Sequence, residues 1–339
     1  MSNTKIFIAG DYYSSTGPAE VTKAYIKQLS EMGYPFDFLK AEKKTKRAIE
    51  LALKIPFCRV VLLTGYSRQN LLALNIARIF GKKVIYLVHG DIKYENEINK
   101  TEDRAMTECE LKVFEQADAL LAVSEKFKSW LGYHYPVYKN KIFTLTNGIA
   151  WDELTESAPS GGEERNNRIL SVGGGMPRKR IVNICRAIER LRNEGFPDLT
   201  LTVVGKEGYD TKEIDKFPFV NDMGEVGKEQ MAGIYMSHRI FIQNSVFETF
   251  GLAPIEALLS GEDILLSHQC GVLPLITSAE RNDVIYNPDD ISEITEKLRG
   301  LLKGGNNSRL LSGIDREGTS YKARTLELIN ICKTINEEK

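Results

Sequence analysis

The sequence predicts an α/β protein of two Rossmann-like, doubly wound domains, and three observations predict it. Its 339 residues exceed what one hydrophobic core usually organises, so two domains are expected. Short β-branched runs alternate with helical patterns, the sequence form of a parallel sheet covered on both faces. Between Trp151 and Asn167 the alternation stops in a polar, breaker-rich stretch, and then it begins again. The expected division is 1–151 for an N-terminal domain, 152–167 for the linker and 168–318 for a C-terminal domain. Residues 319–339 are left as a terminal helix with no strand after it, available to pack back on the first domain.

In chain order, the first half reads as strand Lys5 to Ala9, helix Ala19 to Met32, strand Arg59 to Thr64, helix Gln69 to Phe80 and strand Lys83 to Val88. A helix over Glu95 to Gln116 follows, then strands Ala119 to Val123 and Ile142 to Thr146. Gly10, Gly65, His89 and Asn147 fall at or just beyond strand ends. The second half gives strand Ile169 to Val172, helix Ile181 to Asn193 and strand Leu199 to Val204. Next come strand His238 to Gln243, a helix containing Ile255 to Leu259, strands Asp263 to Ser267 and Asp283 to Tyr286, and a last helix over Ser320 to Ile335.

Composition narrows the class. An apolar fraction of 42% supports ordinary cores, and a net charge of −1 argues against a strongly basic nucleic-acid binder. The five cysteines lie far apart without metal-ligand rhythm, as reduced thiols do. The first residues lack the pattern of a secretory leader, and no run of about 18 apolar residues occurs. The expected place is the cytoplasm, at most touching the inner face of a membrane.

Chemistry concentrates around Glu248 and Glu256, separated by seven residues in Asn244-Ser-Val-Phe-Glu248-Thr-Phe-Gly251-Leu-Ala-Pro254-Ile-Glu256. The pattern places Glu248 in the loop after a strand and Glu256 in the first turn of the next helix. Two carboxylates beside a helix start that favours anions suit a ligand with both hydroxyls and phosphate, as in a nucleotide sugar. Read alone, Glu256 also fits a carboxylate complementing the helix dipole, worth about 0.3–1 kcal/mol, and Glu248 an ordinary loop residue. Gly251 and Pro254 favour the ligand reading, since a proline in the first turn loses no needed N–H and the amides of Thr249 to Leu252 remain.

At the start of the second domain, strand Ile169 to Val172 runs into Gly173-Gly-Gly-Met-Pro-Arg178-Lys179-Arg180. Glycines allow close backbone approach and the cations suit a diphosphate. A dinucleotide fingerprint would need glycine where Arg178 stands, so NAD is disfavoured. A plain βα turn with a solvated basic helix start remains the alternative.

With these motifs in order, the chain resembles the GT-B glycosyltransferases of the family 4 type, retaining enzymes whose donor domain carries the pair Glu248 and Glu256. The resemblance covers nearly the whole length and includes Gly17-Pro18-Ala19-Glu20, His89-Gly90, Asn147-Gly148-Ile149, Pro177-Arg-Lys179, Val204-Gly205 and Gly224-Glu-Val226 before a helix over Lys228 to Tyr235. It implies a central cleft between the domains, with Glu256 on the ribose hydroxyls and Glu248 beside the transferred sugar. Lys179, with Arg178, would hold the diphosphate, helped by the amides of Phe250, Gly251 and Leu252. Gly224 and Val226 would frame the base, Gly17 would let the first domain close on the phosphates, and His89 would face the sugar. Gly174 stands in the donor loop where the family commonly has arginine, and Val272-Leu-Pro-Leu replaces a frequent acidic residue.

The resemblance implies transfer of a hexose-type sugar from a UDP-sugar to a glycan or lipid-linked acceptor. No D-x-D motif ends a strand, so neither metal nor cofactor is expected. A catalytically weak subunit that binds glycan or a partner protein is the alternative. His134, His238 and His268 read as structural. Two basic segments remain: Lys40 to Lys54, either a solvated helix face or a contact with anionic lipid, and Tyr133 to Lys141, either a surface loop or an interface.

Overall fold

The computed structural model describes residues 5–10, 12–14, 16–151 and 163–337. The chain divides into two compact units, one made of Met1–Tyr94, Glu102–Ile149 and Glu317–Lys339, the other of Glu95–Thr101 and Ala150–Arg316. Most of the expected linker, 152–162, lies outside the described residues; Glu163–Asn167 form a 3-10 turn.

The first unit carries β1 (Ile6–Ala9), β2 (Phe36–Phe38), β3 (Val60–Thr64), β4 (Lys83–Val88), β5 (Ala119–Ala122) and β6 (Ile142–Thr144), all parallel, in the order β2-β1-β3-β4-β5-β6. Its helices are α1 (Gly17–Glu31), α2 (Lys44–Lys54), α3 (Gln69–Ile79), α4 (Ile92–Asn99), which runs on into the segment counted with the second unit, α5 (Arg104–Gln116) and α6 (Glu125–His134). Strands β1, β3 and β5 are buried throughout, which is why they read as unbroken apolar runs.

The second unit contains β7 (Arg168–Val172), β8 (Thr200–Val204), β9 (Val220–Asp222), β10 (Ile240–Gln243), β11 (Asp263–Ser267) and β12 (Val284–Ile285). They form a parallel sheet ordered β9-β8-β7-β10-β11-β12, the doubly wound arrangement whose strand order reverses between β7 and β10. Around it lie α7 (Ile181–Asn193), α8 (Thr211–Ile214), α9 (Lys228–Met236), α10 (Leu252–Leu259), α11 (Ile291–Lys303) and α12 (Asn307–Ser312). One face of the core is filled by Ile184, Ile188 and Leu191 of α7 with Leu298 and Leu301 of α11.

The two strands absent from the sequence expectation, β2 and β9, are both three-residue edge strands without a buried residue. Too short and too wet to show a period, they are set by pairing with β1 and β8. The helix expected over Glu95 to Gln116 is two helices. Lys100 turns left-handed at φ 56°, the Thr101 amide donates to the Asn96 carbonyl at 2.9 Å, and the Asp103 carboxylate caps α5 by accepting from the Met106 amide at 3.0 Å. A short acidic side chain that bonds its own backbone starts a helix more readily than it sits inside one.

The last helix, α13 (Tyr321–Glu337), belongs to the first unit and packs against α1. The chain enters it through a bridge between Ile149 and Ser320 and an Ile149 amide donating to the Thr319 carbonyl at 2.8 Å. Gly148 leaves room for Tyr321, whose ring meets Tyr25 edge-on at 5.9 Å. Leu328 and Cys332 are fully buried there. Leu328→Ala is therefore expected to lower unfolding free energy by about 2–5 kcal/mol, read from urea denaturation.

Candidate functional site

In an open α/β sheet the ends of strands flanking the order reversal splay apart and leave a crevice beyond their carboxyl ends. In the second unit those strands are β7 and β10, and the loops after them supply Lys179 and Glu248. The Lys179 Nζ donates to Glu248 Oε2 at 2.6 Å. Gln243, the polar end of apolar β10, donates its amide to the same oxygen at 2.5 Å, and Arg178 Nη1 stands 3.6 Å from it. Lys179 is only 8% exposed. Burial by itself would raise the Glu248 pKa, but Lys179 and Arg178 hold it below the usual carboxylate value. Burial, reinforced by Arg178, pulls Lys179 below the usual lysine value against the opposing pull of Glu248.

Backbone geometry holds this cluster. The Pro177–Lys179 segment is a single 3-10 turn, and the Val246 amide donates to the Arg178 carbonyl at 2.9 Å, joining the two loops. A side chain on Gly173 would come within 2.5 Å of the Lys179 stem, so glycine is what lets the lysine pass. Arg178 is anchored on several sides. Its Nη1 donates to the Phe247 carbonyl at 3.2 Å, its amide donates to Asn99 Oδ1 at 3.2 Å, and its Nε lies 3.8 Å from Glu95 Oε2.

Glu256 is not in the first turn of its helix. Gly251, left-handed at φ 98°, is the N-cap of α10, so Glu256 falls in the second turn and the first contains no acidic residue. A dipole contribution, which fades beyond the first turn, is not its role. Its partner is Tyr235 of α9, whose hydroxyl donates to Glu256 Oε2 at 2.8 Å. Burial and then the Glu256 charge push the Tyr235 pKa well up, keeping the phenol a donor.

Around the α10 start, the Glu248 carbonyl accepts from the Gly271 amide at 3.1 Å and the Phe250 carbonyl from the buried Val272 amide at 2.8 Å. Gly251 and Leu252 lead into the first turn, whose amides have no carbonyl one turn earlier within the helix.

The glycine loop differs most from the expectation. The Gly173 and Gly174 amides both donate to the Val204 carbonyl, at 2.7 and 3.0 Å, and the Gly175 amide to Lys206 at 3.0 Å. These amides tie the β7 loop to the β8 loop instead of facing a ligand. Gly174 sits at φ +53°, and a Cβ there would overlap the Lys206 carbonyl oxygen and come within 2.6 Å of the Gly205 carbonyl carbon. Arginine cannot be accommodated at this position in this backbone. Arg180 is also committed, donating to Asp289 Oδ1 and to the Pro177 carbonyl, each at 2.8 Å. The cations beside Glu248 are thus Lys179 and Arg178.

Gly224, at φ +64°, accepts on its carbonyl from the Gly205 amide at 2.8 Å and donates its own amide to Asp222 Oδ1 at 2.9 Å; Val226 is half-buried just before α9. In the first unit, Gly17 is exposed at the first position of α1, and His89 is buried directly after β4. Burial pulls the His89 pKa down to about 3, so its ring is neutral at physiological pH. His238 has both ring nitrogens occupied, at 2.6 Å from the Ile234 carbonyl and 2.7 Å from Thr202 Oγ1. His134 stacks on Trp130 at 3.7 Å, and His268 on Tyr286 at 6.2 Å.

Sequence reasoning missed Gln243 and Tyr235. Gln243 had a signal, a lone amide ending an otherwise apolar strand. Tyr235 had none, since only the packing of α9 on α10 carries it to Glu256.

Residues 152–314 match the model of the family described as Glycosyl transferases group 1. An MMP alpha-(1->4)-mannosyltransferase of Mycolicibacterium hassiacum is 25% identical over 273 residues, 76% of this chain and 64% of that protein. The serotype-specific mannosyltransferase WbdA of Escherichia coli is 30% identical over 217 residues, 56% of this chain and 26% of that protein. The chain spans less than two thirds of either relative. Among solved structures, HepE of Anabaena in complex with UDP and glucose matches with a TM-score of 0.68 at 11% identity, over 98% of this chain and all of that one. Sucrose-phosphate synthase of Thermosynechococcus elongatus matches with a TM-score of 0.69 at 14% identity, over 98% and 99%. The fold is that of the GT-B glycosyltransferases, with two Rossmann-like domains.

Two outcomes are expected. Gly174→Arg should destabilise the protein by about 1–3 kcal/mol, from left-handed strain and overlap, and lower its melting temperature. For His89, the folded pKa of about 3 lies below the ordinary 6.5. The unfolded chain therefore takes up a proton first, and stability present above pH 6.5 is lost as pH falls toward 3, by about 1.4 kcal/mol per unit. Urea midpoints across that window should fall less steeply in His89→Gln.

Proposed function

We propose that this chain is a retaining, metal-independent glycosyltransferase acting in polysaccharide or glycoconjugate synthesis. It moves a hexose-type sugar from a UDP-sugar to a glycan or lipid-linked acceptor. The observation that carries the reading is the buried cluster of Lys179, Arg178 and Glu248 at the order reversal of a sheet inside the group 1 domain. The mannosyltransferase relatives and the UDP and glucose held by HepE support the substrate class.

As the anomeric carbon–oxygen bond breaks, negative charge grows on the departing diphosphate. Cations already fixed in place stabilise that charge without reorganising. Lys179 and Arg178 do this work, held in position by Glu248, Gln243 and the backbone bonds at Phe247 and Val246. The amides of Phe250, Gly251 and Leu252 at the start of α10 add to the same field. Glu256, oriented by Tyr235, takes the ribose hydroxyls, and Glu248 lies by the sugar. Gly224 and Val226 frame the base. In the retaining front-face route the leaving phosphate accepts the acceptor's proton as the new bond forms, so no basic protein nucleophile is needed. His89 serves as a neutral hydrogen-bonding group toward the sugar, and Gly17 lets the chain approach the phosphates.

One observation favours a second reading, a catalytically weak subunit that binds glycan or a partner protein: the backbone at Gly174 is closed to the family's usual arginine. A thermal-shift panel of UDP, GDP, dTDP and ADP with their sugars separates the two. An enzyme gains about 2.7 kcal/mol at a hundredfold excess of ligand over its dissociation constant, whereas a flat panel favours the subunit.

Lys179→Ala and Glu256→Ala should each lower turnover by about 10²–10³, measured with donor and acceptor together. Near-normal kinetics in both would remove the site assignment. Activity should persist in EDTA, and loss restored by magnesium or manganese would overturn the metal-independent mechanism.

A further inference from the structure

Residues 40–83 hold eleven lysines and arginines against two glutamates, within a chain of net charge −1. The same stretch contains α2, the 3-10 turn Ile55–Phe57 and α3, which pack against one another in the first unit. Leu51 and Ile55 are fully buried and bind α2 to the unit. The opposite face is apolar as well: Ile49 is 60% exposed, Leu53 65% and Phe57 75%, at four-residue spacing. At the end of α3, which packs against both elements, Ile79 is 78% exposed and Phe80 49%. Isolated exposed apolar side chains need no explanation, but five large ones on adjoining elements form a patch that a soluble surface rarely keeps.

Charge identifies what covers it. Lys54 is engaged by Asp37 and Glu50, and Arg78 and Lys83 share Asp118. Lys43, Lys44, Lys46, Arg59 and Lys82 make no ion pair among the described residues, and all but the part-buried Lys82 are exposed. Lys46 lies on the same helical face as Ile49 and Leu53, three and seven residues on. Lys82 and Lys5 both act electrostatically on Cys58, directly after Phe57. An apolar strip rimmed by unpaired cations would repel a second copy of itself, because a self-complementary interface sets like charge against like. It matches an anionic bilayer surface, where apolar side chains enter the headgroup boundary and cations meet phosphate.

We infer that the face formed by α2, the Ile55–Phe57 turn and α3 docks peripherally on anionic lipid, with Ile49, Leu53, Phe57, Ile79 and Phe80 inserted and the lysine cluster on the headgroups. It requires no membrane-crossing helix, and none among the described residues is long and apolar enough to be one. The docking rests on surface chemistry alone and stands or falls independently of sugar transfer.

The test is co-sedimentation of the full chain with phosphatidylcholine vesicles, with and without about a third phosphatidylglycerol, at low and high salt. Binding is expected only to the anionic vesicles and should weaken with salt. Leu53→Asp with Phe57→Asp, and separately Lys43→Glu with Lys44→Glu and Lys46→Glu, should each reduce it by about tenfold or more. All these positions are exposed, so unchanged melting temperatures will verify folding, and an unchanged thermal-shift response to nucleotides will show that donor binding is untouched. No sedimentation at low salt, equal binding to neutral vesicles, or binding that survives Leu53→Asp with Phe57→Asp would each overturn the inference. So would a dimer in light scattering that this variant turns into a monomer, which would assign the face to a second copy.

Discussion

The contact on which the rest of the candidate site depends is the buried pair of Lys179 and Glu248. Two charges removed from water cost several kcal/mol each unless their remaining hydrogen-bonding capacity is met. Here Gln243 and Arg178 approach the same carboxylate oxygen as the lysine, so the pair is embedded in a network. The consequence reaches the backbone. Gly173 must lack a side chain for the lysine stem to pass, and the bond from Val246 to Arg178 locks the β7 loop to the β10 loop. Lys179 and Arg178 are thereby fixed in place, with Glu248 as their resident counter-ion.

The second constraint is the docking of two glycine loops. Amides of Gly173, Gly174 and Gly175 bond the β8 loop, and the Gly224 carbonyl continues the contact through the Gly205 amide. Such close backbone approach excludes side chains, and it decides how cations can be supplied. With Gly174 closed and Arg180 held by Asp289, positive charge near Glu248 comes from the Pro177–Lys179 turn. The departure from the family pattern at Gly174 is thus part of the packing of the domain.

Much of this was legible in the sequence where a residue's role follows from its local pattern. The parallel sheets were visible because strands buried on both faces, such as Val60–Thr64, read as continuous apolar runs. Lys179 and Glu248 were visible because each follows such a strand within a few residues. The edge strands Phe36–Phe38 and Val220–Asp222 were not, since three half-exposed residues have no period and depend on a neighbour. The split at Lys100 was obscured by the strong helical pattern on both sides, although Asp103 was present as a cap. Glu256 was placed one turn early because the helix start depends on the left-handed turn at Gly251, which side-chain chemistry does not reveal.

By itself the sequence determined the fold class, the positions of most strands along the chain and the two loops that carry charge, because apolar periodicity and glycine positions act over neighbouring residues. Only the tertiary structure decided the partners. Tyr235 reaches Glu256 because α9 packs against α10, and Gln243 reaches Glu248 because a strand end and its loop fold back on each other. The same holds for Gly174, whose closure comes from a loop 31 residues further along the chain. Hydrogen bonds and steric exclusion act over a few ångströms of space whatever the separation in sequence, so these pairings exist only once the sheet has brought the loops together.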